Sequence, residues 1–213
     1  MKYDLHIHSK YSPDGILDPK KIVKIAIKKG LDGIAITDHD TIKGGLKTKE
    51  YETEDFKVLI GSEVSTTRGE ITGLFLSEDI KSREFHEVSD EIREQGGLVI
   101  APHPFDKLRK STFRIKNEDA KYIDTIEVFN SRCIHQKYNE RAASYAKKHN
   151  LSVVGGSDAH FPYEIGKAGV ILESRDLRNA ILKNDLKVFG KRSIFLNHGI
   201  TKVLKLWRKT RSG

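Results

Sequence analysis

His6 and His8 stand two residues apart at the end of a short apolar run near the start of the chain. On an extended strand, residues i and i+2 point the same way, with backbones roughly 6–7 Å apart, so two imidazoles on one face can grip one metal ion. Asp158 and His160 repeat the spacing late in the chain, again after an apolar run. Between them come His39 after Asp38, Glu63 in Gly61-Ser62-Glu63-Val64, His103 between Pro102 and Pro104, and Asn130 after Ile126-Glu127-Val128-Phe129. A carboxylate such as Glu63 can bridge two ions. Imidazole and carboxylate donors without thiolate suit Mn²⁺, Fe²⁺ or Zn²⁺. The single Cys133 excludes an internal disulfide and any cysteine-based zinc motif.

Gathering these groups is a task for the fold. Apolar runs at 2–5, 33–37, 57–60, 98–101, 125–129, 152–155 and 168–172 read as strands, and 71–76 is a further apolar run. Helical patterns alternate with them. Asp18-Pro19 opens a helix whose Ile22, Val23, Ala26 and Ile27 share a face and which Gly30 stops. Further helices fall at about 84–95, 136–149 and 175–184. About seven strands with intervening helices predict an α/β protein with parallel strands, a barrel of the TIM kind with its site at the C-terminal face. An open doubly wound sheet would also use its carboxyl edge. No glycine-rich phosphate loop follows the first strand, which speaks against a nucleotide-cofactor fold.

At 213 residues the chain fits one domain with a substantial core. The start, MKYDLHIHS, has no secretory apolar region, and no apolar stretch nears the roughly 18 residues of a membrane helix. A cytoplasmic location is therefore expected. The net charge of +8 lies wholly in residues 187–213, which hold eight Lys and Arg and no acid. The body to residue 186 is balanced and is not a general polyanion binder. We expect a barrel domain over 1–197 and a basic amphipathic helix over 198–213, with Ile200, Val203, Leu204 and Trp207 on one side. That helix would pack on the barrel, or contact nucleic acid, a membrane surface or a partner.

The motifs DLHIHSKYSPDG (4–15), ITDHD (36–40), GSEVS (61–65), APHP (101–104), EVFNSR (127–132) and GSDAH (156–160) run in one order. Together the chain resembles the PHP family, the polymerase and histidinol phosphatase superfamily of metal-dependent phosphoesterases, over roughly residues 1–170. The resemblance implies a distorted (β/α)7 TIM-like barrel with two or three metals at its C-terminal face. It implies that His6, His8, Glu63 and Asp158 hold the first metal, Glu63 and His103 the second, and Asp14, His39 and His160 the third. Many relatives carry a histidine a few residues after the GSEVS glutamate; here the pair reads Gly69-Glu70. Glu70 can coordinate through oxygen, and harder ligation favours Mn²⁺ or Fe²⁺ over Zn²⁺.

The expected reaction is hydrolysis of a phosphate monoester, of a nucleotide or another small metabolite, by a metal-activated hydroxide. Asp158 or His160 would orient the water, and His39 or His160 would protonate the leaving group. Arg132, Asn130 and Lys167 are the expected phosphate or substrate contacts. Tyr11 and Phe161 flank ligand motifs, to stack on a ring or to pack beside the core. The alternatives are an exonuclease on short RNA or DNA, a histidinol phosphatase, and a non-catalytic scaffold in a nucleic-acid complex.

Overall fold

Strand β1 (Lys2–Ile7) sits between β2 (Gly33–Ile36), which it pairs in parallel, and β8 (Ala168–Ile171), which runs against it. The computed structural model describes residues 1–193 and Thr201. The expected helix over 198–213 therefore lies outside the described residues, Thr201 excepted. The remaining strands are β3 (Lys57–Thr66), β4 (Gly69–Leu74), β5 (Leu98–Ala101), β6 (Thr125–Asn130), β7 (Ser152–Gly156) and β9 (Lys187–Gly190). One sheet orders them β7-β6-β5-β4-β3-β2-β1-β8-β9. Beyond β7, Ala159 bridges Ile7 in parallel, and the His8 N–H donates to the Ala159 carbonyl at 2.9 Å. That contact brings the far edge back to β1, so the sheet is a nearly closed barrel.

The parallel expectation holds for β1, β2, β3, β5, β6 and β7, and fails for β4 and β8. Only Thr67 and Arg68 separate β3 from β4. A parallel return needs a crossover of a dozen or more residues, so β4 comes back antiparallel, with Thr66 opposite Gly69 and Glu63 opposite Thr72. β3 also continues past the expected end at residue 60, so Glu63 lies within the strand rather than after it.

The helices are α1 (Pro19–Lys28), α2 (Lys43–Lys49), α3 (Phe85–Glu94), α4 (Gln136–His149) and α5 (Leu177–Leu182), with a short 3-10 turn at Asn117–Tyr122. Asp18 caps α1 by accepting from the Lys20 N–H at 3.1 Å, with Pro19 as the first helical residue. Gly30, at φ +70°, ends it, a conformation that suits glycine. Ile22, Val23 and Ala26 are buried, but Ile27 is half exposed, because it stands a further 100° around the helix from Ala26. α1 packs on Ile7, Ile34 and Val58, while α3 and α4 pack on Ile71, Val99 and Ile126. Tyr3, Leu5, Ala35, Leu59, Leu98 and Val154 form a separate cluster drawn from strands all round the sheet, as a filled barrel interior requires. Leu177, Ala180 and Ile181 of α5 join it, covering the end at which β1 and β3 begin. No helix among the described residues is long and apolar enough to cross a membrane.

Candidate metal centre

The nine expected ligands converge at the end of the barrel where β1, β6 and β7 finish. Four overlapping groups place their donor atoms within 4.8 Å of one another: His6, His8 and Asp158; His6, Glu63 and His103; His39, Glu63 and Glu70; and His8, Asp14, His39 and His160. All but His39 are buried, and His39 is nearly so.

The first group shows why these positions fit an ion. The His6 Nδ1–H donates to Glu127 Oε1 at 2.9 Å. His8 Nδ1 lies 3.4 Å from Ser12 Oγ, whose own proton goes to Asp14 Oδ1 at 2.8 Å. With each Nδ1 proton engaged, both Nε2 atoms face inward, 3.1 Å apart. Glu63 Oε2 is 3.4 Å from each, and Asp158 Oδ1 is 3.5 Å from His8 and 4.0 Å from His6. Ligands about 2.1 Å from one ion, at tetrahedral or octahedral angles, stand about 3.0–3.4 Å apart along adjacent edges, and most of these spacings match. Among the described residues Asp158 Oδ1, His39 Nδ1 and His103 Nδ1 are buried without a hydrogen-bond partner. Buried polar atoms are seldom left so, and a cation at the meeting point would satisfy Asp158 Oδ1.

Glu63 bridges outward. Its Oε1 is 2.9 Å from His103 Nε2, and Glu70 Oε2 lies 4.0 Å from the same nitrogen. His39 turns Nδ1 toward Glu63 and Glu70, at 3.5 and 3.6 Å, and Nε2 toward Asp14 Oδ2 at 3.3 Å. Asp14 Oδ1 is in turn 3.3 Å from His160 Nε2. Glu70 is thus inside the cluster, 5% exposed, rather than on the surface.

The electrostatics are those of a site missing positive charge. Burial opposes protonation of His6, but Glu127, Glu63 and Asp158 outweigh it and hold the imidazole well above its ordinary value. Burial likewise works against His39, yet Asp14, Glu63 and Glu70 push it up to about 10. Burial would raise Glu63, but His6, His103 and His39 hold it well below the usual range. Asp158 is held low against burial by Arg109 and His6. Two groups move oppositely. Burial, then Arg132 and His8, press His160 down to about 4, and burial with the Glu63 charge raises Glu70.

Asp158 and His160 do not stand along one extended run, as His6 in β1 and His8 just past its end do. Asp158 adopts φ +55° in the turn after β7, and His103 adopts φ +30°. Non-glycine residues held there cost on the order of 1–3 kcal/mol and cluster at functional sites. β7 approaches β1 so closely that a Cβ on Gly156 would lie 2.3 Å from the His6 Cβ.

Of the three expected substrate contacts, Arg132 is at the site. Its Nη1 is 2.5 Å from His160 Nδ1, its Nη2 donates to Thr201 Oγ1 at 3.0 Å, and Glu164 Oε1 is 3.8 Å from its Nε. Asn130 is built into the frame: Nδ2 donates to Glu127 Oε2 and Asp158 Oδ2, and Oδ1 accepts from the Arg132 N–H. The Lys167 amine instead sits over the Tyr163 ring, 5.4 Å from its centroid.

Sequence reasoning missed the residues behind the ligands. Glu127 holds His6, the His103 N–H and Asn130. Asp4 ties His6, Ser157 and Gly166 together through their backbone N–H groups, and burial pushes its carboxyl up to about 6. Arg109 donates to Asp158 Oδ2 at 2.6 Å and to Asp106 Oδ2 at 3.1 Å. Glu127 and Asp4 lie inside the ligand motifs. Arg109 is one of several cations in Lys107-Leu108-Arg109-Lys110, with no local sign of which one turns inward.

An uncharacterized protein of Methanocaldococcus jannaschii is 49% identical over 144 residues, 62% of this chain and 82% of that one. A 5'-3' exoribonuclease of Haemophilus influenzae is 34% identical over 134 residues, 60% of this chain and 47% of that enzyme. Among solved structures, a two-domain protein of Bacteroides vulgatus containing a predicted PHP-like metal-dependent phosphoesterase superposes with a TM-score of 0.74 at 22% identity. The superposition covers 90% of this chain, which spans 65% of that protein's length. Residues 4–198 match the PHP domain, and the chain belongs to that family.

Proposed function

We propose that this protein hydrolyses phosphate monoesters, of a nucleotide or another small phosphorylated metabolite, with two or three divalent ions of which Mn²⁺ or Fe²⁺ suit the donors better than Zn²⁺. The observation that carries this reading is the convergence of nine nitrogen and oxygen donors beside two arginines, Arg109 on Asp158 and Arg132 on His160. The oxygen-rich donor set, Glu70 included, supports the metal preference. Bound ions supply the Lewis acidity that brings water toward ionisation near neutral pH and offsets charge on a phosphoryl group.

The chain's own groups do the rest. Asp158 Oδ1 faces the meeting point and is placed to orient the attacking water. A guanidinium cannot accept a hydrogen bond, so His160 Nδ1 accepts from Arg132 in this structure. If His160 held an ion through Nε2, its proton would sit on Nδ1 and go to the Asp158 carbonyl 2.9 Å away, and Arg132 Nη1 would turn toward an anion. Arg109 stands equally close on the opposite carboxylate oxygen. The paired arginines grip phosphate from two sides, while His39 delivers the proton to the leaving oxygen. A scaffold without activity has no use for so complete a donor set.

A second reading, an exonuclease on short RNA or DNA, draws on the rim. The Phe161 and Tyr163 rings lie parallel within 3°, 5.8 Å apart, directly after His160. Tyr11, three residues after His8, lies between Lys10 and Lys43, whose amines are 5.8 and 5.5 Å from its ring. Aromatic faces beside cations hold unpaired bases, and the Haemophilus relative is an exoribonuclease.

Metal analysis of purified protein should find two or three transition ions per chain. A Mn²⁺-loaded sample should then be screened on nucleoside monophosphates, bisphosphates, sugar phosphates and short oligonucleotides. Asp158→Ala and His103→Ala should each lower turnover at least about a hundredfold with an unchanged circular dichroism spectrum. Protein that takes up no metal, or variants that keep full turnover, would defeat the phosphoesterase reading. Tyr163→Ala slows oligonucleotide cleavage alone if the second reading is correct.

A further inference from the structure

The barrel has a second concave site at its other end. A cavity of about 530 Å³ opens where β1 and β3 begin and β4 finishes, within the roughly 300–1,000 Å³ of small-molecule sites. Its floor is apolar, formed by Tyr3, Val58, Leu59 and Leu177, and its wall is Phe75. Tyr3 precedes the ligands His6 and His8 on the same strand, so the cavity lies roughly 10–16 Å from them along β1.

The four cations around the cavity, Lys49, Lys57, Arg175 and Arg178, outnumber its two acids, Glu52 and Asp176. Lys49 is paired with Glu52 at 2.7 Å, and the same Glu52 oxygen accepts from the Val58 N–H, so that acid is committed. Asp176 turns Oδ1 to the Asn179 N–H as the cap of α5. Lys57 donates to the Thr53 carbonyl at 3.3 Å and shares the field of Glu52 with Lys49, and Arg178 donates to the Gly96 carbonyl. Neither oxygen carries a formal charge. Arg175 is exposed and makes no hydrogen bond or ion pair among the described residues.

Phe75 adds an independent sign. It holds φ +63° while only partly buried, a conformation costly for a bulky residue. It places an aromatic ring on the cavity wall with the Arg178 guanidinium 5.8 Å from its centroid.

We propose that this cavity binds a small organic phosphate carrying a planar ring, an anion of nucleotide size, at a site separate from the metal centre. The ring lies against Phe75 over the apolar floor. The phosphate lies among Lys57, Arg175 and Arg178, where the guanidinium forks match its oxygens. The assignment does not depend on what the metal centre hydrolyses.

The test is calorimetric titration of the Mn²⁺-loaded protein with the phosphonate analogue of adenosine monophosphate, which cannot be hydrolysed. Wild type should show a binding event that survives Asp158→Ala. That event should weaken about tenfold or more in K57E/R175E, because each charge-assisted contact contributes about a factor of ten. Turnover of a generic phosphomonoester should stay within about twofold in K57E/R175E, since neither residue touches the metal centre. Both side chains are exposed, so the fold is expected to survive, and the milder K57A/R175A serves as a second variant. Binding lost entirely with Asp158→Ala, or wild-type binding retained in both double variants, overturns the proposal.

Discussion

Glu127→Gln is the most telling single change available, because it removes a charge and almost no volume. Glu127 is 3% exposed and accepts three hydrogen bonds of 2.9 Å: His6 Nδ1–H on Oε1, and the His103 N–H and an Asn130 Nδ2–H on Oε2. Glutamine has one oxygen for these three donors. If that oxygen takes the place of Oε2, the amide NH₂ faces His6. His6 must then accept at Nδ1 and carry its proton on Nε2, so the lone pair 3.1 Å from His8 Nε2 is lost to the metal. If the oxygen takes the place of Oε1, the NH₂ is set against two buried donors, and each unmade bond to a charged acceptor costs about 1.5–3 kcal/mol.

Either outcome acts on metal affinity. Partners behind a metal-bound histidine are worth roughly 10–100-fold in affinity, or about 1.4–2.8 kcal/mol. The assay is Mn²⁺ titration of stripped protein, followed by electron paramagnetic resonance of free ion, with circular dichroism as a control for folding. Glu127→Asp, which keeps the charge but draws back from His6, should fall between wild type and glutamine. Affinity within threefold of wild type in a folded glutamine variant would show that His6 is not oriented through Nδ1, and the first metal position as drawn would be wrong.

Gly156→Ala puts a Cβ 2.3 Å from the His6 Cβ and 2.8 Å from Glu127 Oε1; it should cost about 1–3 kcal/mol of stability in denaturant unfolding and lower metal content with it. Glu70→Ala should weaken binding of one ion by at least about tenfold while leaving the others, a result read from metal stoichiometry at limiting Mn²⁺; unchanged stoichiometry and affinity would remove Glu70 from the ligands. Metal loading should release protons near pH 7, because His39, with a value of about 10, carries a proton in the metal-free protein, and His6 and His8 are both shifted upward. The sign is fixed: affinity rises with pH as these histidines lose their protons, and calorimetry in two buffers of different ionisation enthalpy should give different heats.

The candidate ligands were legible in the chain because a barrel strand ends in a recognisable way. An apolar run stops, and the next polar residue faces the open end. His6, His8, His103 and Asp158 all carry that signal. The antiparallel β4 was not read, although the two-residue link from Thr66 to Gly69 was present to forbid a crossover. β9 was missed as a short strand with exposed ends, and α2 because Lys43-Gly44-Gly45 is a poor helix start by composition.

The groups behind the ligands were hidden for a different reason. In Ile126-Glu127-Val128-Phe129 a glutamate between apolar residues reads as a strand's solvent-facing position. It points inward here because the sheet closes, and a closed sheet turns one of its two faces into an interior. At the C-terminal mouth that interior is polar, so the same alternation that marks a surface residue elsewhere marks a supporting residue beside His6. Asp4 follows the same logic two residues before His6. A carboxylate within a barrel strand, one or two turns of the pleat from a ligand, is therefore better read as orienting that ligand than as facing water, provided the strand is known to lie in a closed sheet. Closure itself rests on contacts such as Ile7 with Ala159, which lie 152 residues apart in the sequence. No local pattern contains that information, and for that reason Glu127 and Arg109 became visible only in three dimensions.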